Sequence, residues 1–162
     1  MSRKKRTEAL RYQIHAIQEV EVHIPILSEA LMDSFEEEKL DFSFTFDYLW
    51  DTDDDLFSVV VGVVYIYDRE HLDEEMLKYT GLVEYRISDL ARYIDTQNKE
   101  IKLPIELLAI LTGIAISTVR GMIATRTAGK FQGDFYIPIL SPMRVVEDYF
   151  RMADVVAKGQ SN

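Results

Sequence analysis

A long helix that is apolar on almost every side is the feature that most constrains the fold. The segment of residues 104–127 begins with a proline, which suits a first helical turn, and Gly129 follows it as a common end signal. Its polar and small side chains fall within a stripe about 80° wide, whereas a surface helix is polar over most of its circumference. The segment therefore predicts a helix that one sheet cannot cover alone.

A second copy of the chain is the simplest cover for the remaining apolar surface, so we expect a homo-oligomer. The longest uncharged run of the chain, residues 107–119, is shorter than the roughly 20 residues that a membrane span needs, so we expect no membrane insertion. The oligomer interface is predicted along the helix at Gly113, Ser117, Arg120 and Ala124.

Four segments before this helix have the patterns of β-strands. Three of them alternate apolar and polar residues, as strands with one buried face do, and in the first strand this alternation places Glu19 and Glu21 on the same polar face. The third segment is apolar on both faces, which is typical of a central strand. We predict strands at residues 12–24, 40–50, 56–67 and 79–88.

The connections between these segments indicate an antiparallel sheet. Residues 51–55 form an acidic turn and residues 68–77 a polar connection, whereas residues 25–39 are too long for a hairpin and suit a crossover to a non-adjacent strand. Strands followed by helices are typical of α+β proteins. We therefore predict an α+β fold: a four-stranded antiparallel sheet with a long crossover after the first strand, and a long and a shorter C-terminal helix on one face.

Proline, glycine and charged residues indicate the boundaries of the remaining segments. Residues 130–140 predict an extended segment, and Ser141-Pro142 predicts the start of the C-terminal helix. We expect one domain over residues 12–157, with disordered tails at residues 1–11, which are basic, and at residues 158–162.

Charge and cysteine content exclude several classes of function. The chain has a net charge of −10, and since its first 11 residues carry +4 the remainder carries −14. Such an acidic body repels nucleic acid and anionic membranes, so we expect neither as a partner. The absence of cysteine excludes disulfides, thiolate metal sites and cysteine nucleophiles, and favours a cytoplasmic location.

The sequence contains no motif that indicates catalysis, a cofactor or a metal. Residues 51–55 resemble the start of an EF-hand loop, but Leu56 and Gly62 stand where that loop needs glycine and glutamate. His23 and Glu21 share a strand face, yet a third ligand at metal-binding spacing is missing. We predict no catalytic residue, no cofactor and no metal.

The apolar and aromatic residues exceed what one small chain can bury. They lie on the second face of the third strand, in the crossover and after the long helix. Apolar surface rimmed by acidic residues is typical of an oligomer interface or of a polypeptide-binding groove, and the two are compatible.

Four short stretches stand in an order and spacing shared with a known chaperone family. They are Tyr12-Gln13-Ile14, Lys39-Leu40-Asp41-Phe42, Leu82-Val83-Glu84 and residues 120–129, within a match over residues 12–155. In these the chain resembles the SecB export-chaperone family. The resemblance implies a dimer of dimers that holds unfolded precursor polypeptides in apolar grooves and passes them to an export motor ATPase. Some relatives instead protect an antitoxin.

The resemblance also implies functional sites, residue by residue. It places the polypeptide-binding groove at Ile26, Leu27, Phe35, Val83, Tyr85 and Ile87, and the motor-docking surface at Glu21, Leu82 and Glu84. Two departures concern docking on a motor. Pro25 replaces an acidic position, and residues 34–38 lack the tryptophan and proline usual in the family.

These features favour an ATP-independent, chaperone-like protein over an enzyme. Unfolded polypeptides are then the expected partners, with protein export as one process that such binding would serve. The alternative is an interaction module of the same fold that binds one dedicated partner, such as an antitoxin.

Overall fold

The computed structural model describes residues 10–25, 35–69, 72–129 and 137–159. Within them the chain forms a four-stranded antiparallel sheet with two helices on one face, which confirms the predicted α+β fold. The elements are β1 (Tyr12–His23), β2 (Leu40–Asp51), β3 (Leu56–Arg69), β4 (Leu72–Ile87), β5 (Ile94–Asp95), β6 (Glu100–Ile101), α1 (Ile105–Thr127) and α2 (Pro142–Gly159).

The strand order β1-β4-β3-β2 explains the patterns read from the sequence. The chain crosses from one edge of the sheet to the other between β1 and β2, which confirms a crossover to a non-adjacent strand. The β3 strand lies between two neighbours, as its apolar character on both faces predicts. Within the described ranges, β1 and β2 each have one neighbouring strand, so each leaves one free edge of the sheet.

The hairpin between β3 and β4 is longer than predicted, so the expected polar connection at residues 68–77 is wrong. Arg69 still pairs with Leu72. Antiparallel pairing satisfies the backbone groups whatever the side chains are, and this overrides the low strand propensity of charged residues. A register shift makes Met76 an extra residue in β4, and Met76 and Leu77 are both fully buried.

The core lies between α1 and the face of the sheet beneath it. Gly81 of β4 stands under α1, where a Cβ atom would lie 2.6 Å from Val119 Cγ2, so glycine permits the close approach of helix and sheet. Alternate residues of the central strands are buried there: Phe57, Val59, Val61, Val63, Tyr79, Val83, Tyr85 and Ile87.

The α1 helix begins and ends close to the predicted residues, and Gly129 beyond it has the positive φ of 71° that glycine tolerates. By length and composition α1 is apolar enough to cross a membrane, with a hydropathy of 1.9. Half of that apolar stretch is buried inside the described part of the chain.

Candidate functional site

An open apolar groove runs along the side of α1 that the sheet does not cover. The start of α2 forms one wall, and the groove has a volume of about 870 Å³. Ile110 is 49% exposed although it lies within a long helix. We call this feature the helix groove. It is lined chiefly by Ile110, Gly113, Ile114, Ser117, Pro142 and Met143.

Gly113 allows the two helices to meet beside the groove. A Cβ atom at this position would lie 2.9 Å from Pro142 Cγ, closer than side chains pack. The predicted interface residue Gly113 therefore contacts α2 of its own chain.

Arg120 of α1 forms hydrogen bonds with the segment that leads into α2. Its Nε donates to the carbonyl of Ile137 at 3.0 Å and its Nη2 to the carbonyl of Pro138 at 2.8 Å. Of the other predicted interface residues, Ser117 and Ala124 are exposed on α1. Sequence periodicity placed these four residues on one stripe of α1. In the structure Gly113 and Arg120 contact other parts of the same chain, whereas Ser117 and Ala124 are exposed.

The second apolar surface lies on β1, which in the described part of the chain pairs with β4 along one edge only. The exposed fractions of its five large apolar side chains run from 39% to 58%. We call this surface the β1 strip; it consists of Tyr12, Ile14, Ile17, Val20 and Val22. An edge strand with exposed apolar side chains is a template for pairing with another chain.

Two bulges change the predicted orientation of residues in β1, with register shifts after Ile14 and after Glu19. Each bulge adds a residue and reverses the alternation beyond it. Glu19 therefore faces α1 and not the polar face that it was predicted to share with Glu21. Its carboxylate accepts hydrogen bonds from the Arg126 Nε at 2.8 Å and from the Tyr79 hydroxyl at 2.7 Å. The bonds from Arg126 and Tyr79 lower the pKa of Glu19 to about 2.

The three residues predicted to dock on a motor lie on the outer face, the face of the sheet without helices. Glu21 lies 2.8 Å from the Lys78 ammonium, and this hydrogen bond raises the pKa of Lys78. Glu84 lies 3.8 Å from His15 Nε2 and accepts a 3.4 Å hydrogen bond from Ser58. Leu82, between the two carboxylates, is half-buried.

The structure does not bring the predicted polypeptide-groove residues to one open surface. Ile26 and Leu27 lie outside the described residues. Phe35 stacks on Tyr67 with ring centroids 5.2 Å apart. The remaining three, Val83, Tyr85 and Ile87, have no exposed surface beneath α1, so a polypeptide reaches them only if α1 moves away.

The helix groove was missed by sequence reasoning because it depends on how α2 crosses α1, which no local pattern encodes. The signal that pointed towards it was the apolar character of α1 on several sides. In the part of the chain that the structure describes, no group of three His, Asp or Glu side chains is arranged to hold a metal ion. The chemistry that these surfaces offer is apolar contact and backbone pairing.

No protein-family model matches the chain, and no curated protein matches its sequence. Among solved structures, the Mycobacterium tuberculosis SecB-like chaperone Rv1957, in complex with a ChAD peptide from the Rv1956 HigA1 antitoxin, matches with a TM-score of 0.51. The two are 14% identical, and the match covers 80% of this chain and 91% of that one. A Streptococcus agalactiae protein of unknown function has a TM-score of 0.41 at 14% identity, over 81% of this chain and 99% of its own. The match to Rv1957 agrees with the element order described above: this chain has a SecB-like fold.

Proposed function

We propose that this chain is a cytoplasmic, chaperone-like protein that binds segments of other polypeptides on its apolar surfaces, without ATP. The helix groove carries the proposal, since it is an open apolar groove of about 870 Å³ along the exposed side of α1. Contiguous exposed apolar surface of this kind marks interaction sites. The SecB-like fold supports the same function.

Binding of this kind needs no catalytic group. Apolar surface removed from water contributes about 25 cal/mol per Å². The ordering of an extended client offsets much of that gain, so affinity depends on how many apolar side chains the client places in the groove. Folded proteins keep such side chains inside, which makes the unfolded state the preferred ligand.

The proposal includes assembly of the chain with itself. The β1 strip suits antiparallel pairing with a second β1, and the exposed side of α1, including Ser117 and Ala124, suits packing against a second α1. Two different self-complementary contacts on one chain generate a dimer of dimers. The helix groove would then be shared between self-assembly and client binding.

A dedicated partner, such as an antitoxin, is the second candidate, and two observations favour it over delivery to an export motor. The similar chaperone was solved with an antitoxin peptide. In this chain, moreover, Glu21 and Glu84 already have partners within the sheet, in Lys78 and in His15 and Ser58. A motor that docked on these carboxylates would have to displace those partners.

Suppression of aggregation tests the proposed function. A chemically denatured client is diluted into buffer with an equal amount of the chain, and light scattering is followed. We expect the parent to suppress aggregation and Ile110→Asp to lose most of this effect, because the new carboxylate makes the groove polar. Leu49→Asp is the matched control, since Leu49 is 51% exposed on the outer face and Ile110 is 49% exposed in the groove. Equal suppression by both variants would reject the groove as the binding site.

Composition of the bound material separates the two candidates. The tagged chain is purified from its native cells, and the polypeptides that elute with it are identified by mass spectrometry. A mixture of many unfolded clients supports the general chaperone, whereas one stoichiometric polypeptide supports the dedicated module.

A further inference from the structure

The two free edges of the sheet differ in their chemistry. Among the described residues the β2 strand pairs only with β3, so one row of its backbone N–H and C=O groups points away from the sheet. Such a row is a template on which any extended polypeptide can add as a further strand. The side chains along β2 therefore decide whether this edge accepts a strand.

Two aspartates on β2 accept hydrogen bonds from backbone N–H groups of that row. The Asp41 Oδ1 accepts from the N–H of Phe42 at 2.8 Å, and the Asp47 Oδ1 accepts from the N–H of Tyr48 at 2.8 Å. Alternate residues of a strand direct their backbone groups to the same edge. The Ile87 N–H donates to the Asp55 carbonyl at 2.9 Å, so the odd-numbered residues of β3 direct their backbone groups to β4 and the even-numbered ones to β2. Phe42 and Tyr48 pair with odd-numbered residues of β3 and therefore belong to the row that faces away from it, and both N–H groups are already bonded.

Tyr149 of α2 crosses the same edge. On the helix side of the sheet its ring lies 5.1 Å from the Phe46 ring and 5.0 Å from the Tyr48 ring, between centroids. Its hydroxyl donates to Asp47 Oδ1 at 3.0 Å, and the Asp47 side chain belongs to the outer face. The phenol thus spans the edge from one face to the other, where an added strand would have to lie.

We infer that Asp41, Asp47 and Tyr149 form an edge guard that prevents extended polypeptide, including strands of other copies of the chain, from pairing with β2. Between the two capped positions only Phe44 and Phe46 belong to the outward row, so an added strand would meet an uncapped ladder over only two outward residues before reaching a bonded N–H on either side. The inference goes beyond polypeptide binding, since it identifies an edge that the molecule closes.

The carboxylates of β1 do not act in this way. Within the described strand, Glu19 bonds Arg126 and Glu21 bonds Lys78. A chain with two open edges would add copies head to tail into an open filament, whereas one open edge permits only a closed pair. The edge guard therefore limits assembly through strands to β1.

Sedimentation velocity tests the edge guard with the full chain. In Asp47→Leu, which removes one cap and the Tyr149 contact, we expect the weight-average mass to at least double over a tenfold rise in concentration, beyond any change in the parent. The matched control is Ser43→Leu with Asp53→Asn. It adds the same leucine to the same face of β2 and removes one exposed carboxylate elsewhere. If Asp47→Leu and this control sediment alike, the inference is wrong.

Amide hydrogen exchange tests the cap without relying on assembly. In Asp41→Ala we expect exchange of the Phe42 N–H, followed by NMR, to accelerate at least tenfold, because its acceptor is gone. Exchange at Phe44, in the same row, should stay as in the parent. An unchanged Phe42 rate in the folded variant would overturn the assignment of Asp41 as a cap.

Discussion

At the scale of single residues, buried hydroxyls hold α1 on the sheet. The Tyr48 and Thr112 hydroxyls share a hydrogen bond of 2.8 Å, and the Tyr85 hydroxyl donates to the Leu111 carbonyl at 2.7 Å. Burial raises the pKa of both phenols, so both hydroxyls remain neutral at physiological pH. These bonds fix the rotation of α1 and therefore which of its residues form the helix groove.

Thr112→Val should destabilise the fold by about 1–3 kcal/mol, because it leaves the Tyr48 hydroxyl buried without its partner. Urea unfolding followed by circular dichroism measures this change. The double variant Tyr48→Phe with Thr112→Val removes both hydroxyls and should recover most of the loss. A double variant as unstable as the sum of its two single variants would show that the hydrogen bond is not the cause.

The Glu19 carboxylate should make stability depend on pH in acid. Hydrogen bonds from Arg126 and then Tyr79 lower its pKa from 4.5 to about 2 in the folded chain. A lowered folded-state pKa contributes stability above the unfolded value, and this contribution is lost as pH falls from 4.5 towards 2. The urea midpoint of the parent should therefore exceed that of Glu19→Gln at pH 6, and the difference should shrink by pH 2. A difference that stays constant over this range would contradict the assignment.

At the scale of elements, local periodicity predicted what depends on neighbours in sequence. The alternation in β2 and the apolar character of β3 placed both strands correctly, and Pro104 and Gly129 marked the ends of α1. The bulges in β1 and the paired ends of β3 and β4 escaped prediction, because strand register is set by the neighbouring strand and not by composition. The helix groove escaped for the same reason, since it depends on the crossing of two helices.

Gly113→Leu should loosen α2 from α1, since a side chain at Gly113 meets Pro142. Overpacking of this kind costs about 1–3 kcal/mol. Hydrogen exchange in α2 should accelerate while exchange in β3 stays slow. Gly121→Ala is the matched control on the same helix, because a Cβ there meets open space. It should stabilise the chain by about 0.5–1 kcal/mol through its higher helix propensity. If α2 exchanges as slowly in Gly113→Leu as in the parent, the packing described for the two helices is wrong.

At the scale of the whole molecule, apolar attraction and charge repulsion oppose each other. Each copy has a net charge of −10, so association brings like charges together. Salt screens charge over roughly 10 Å at 0.1 M and leaves apolar contact largely unchanged. Self-association of this chain should therefore strengthen as ionic strength rises, and a dilution series at low and high salt measured by sedimentation equilibrium checks this. Weaker association at high salt would mean that ion pairs, and not apolar surfaces, hold the copies together.

Pairing through the β1 strip can be separated from the general effect of charge by two neighbouring substitutions. Ile17 lies on the helix-facing side of β1 and is 48% exposed, whereas Gln18 is exposed on the outer face. Ile17→Lys should weaken the dimer at least tenfold, because burial of one isoleucine contributes about 1.5–3 kcal/mol and a symmetric interface loses it twice. Gln18→Lys changes the charge equally at the adjacent residue and should leave the dissociation constant within a factor of about two, since tenfold corresponds to about 1.4 kcal/mol. Equal dissociation constants for the two variants would place the self-contact elsewhere, and the exposed side of α1 would then be the remaining candidate.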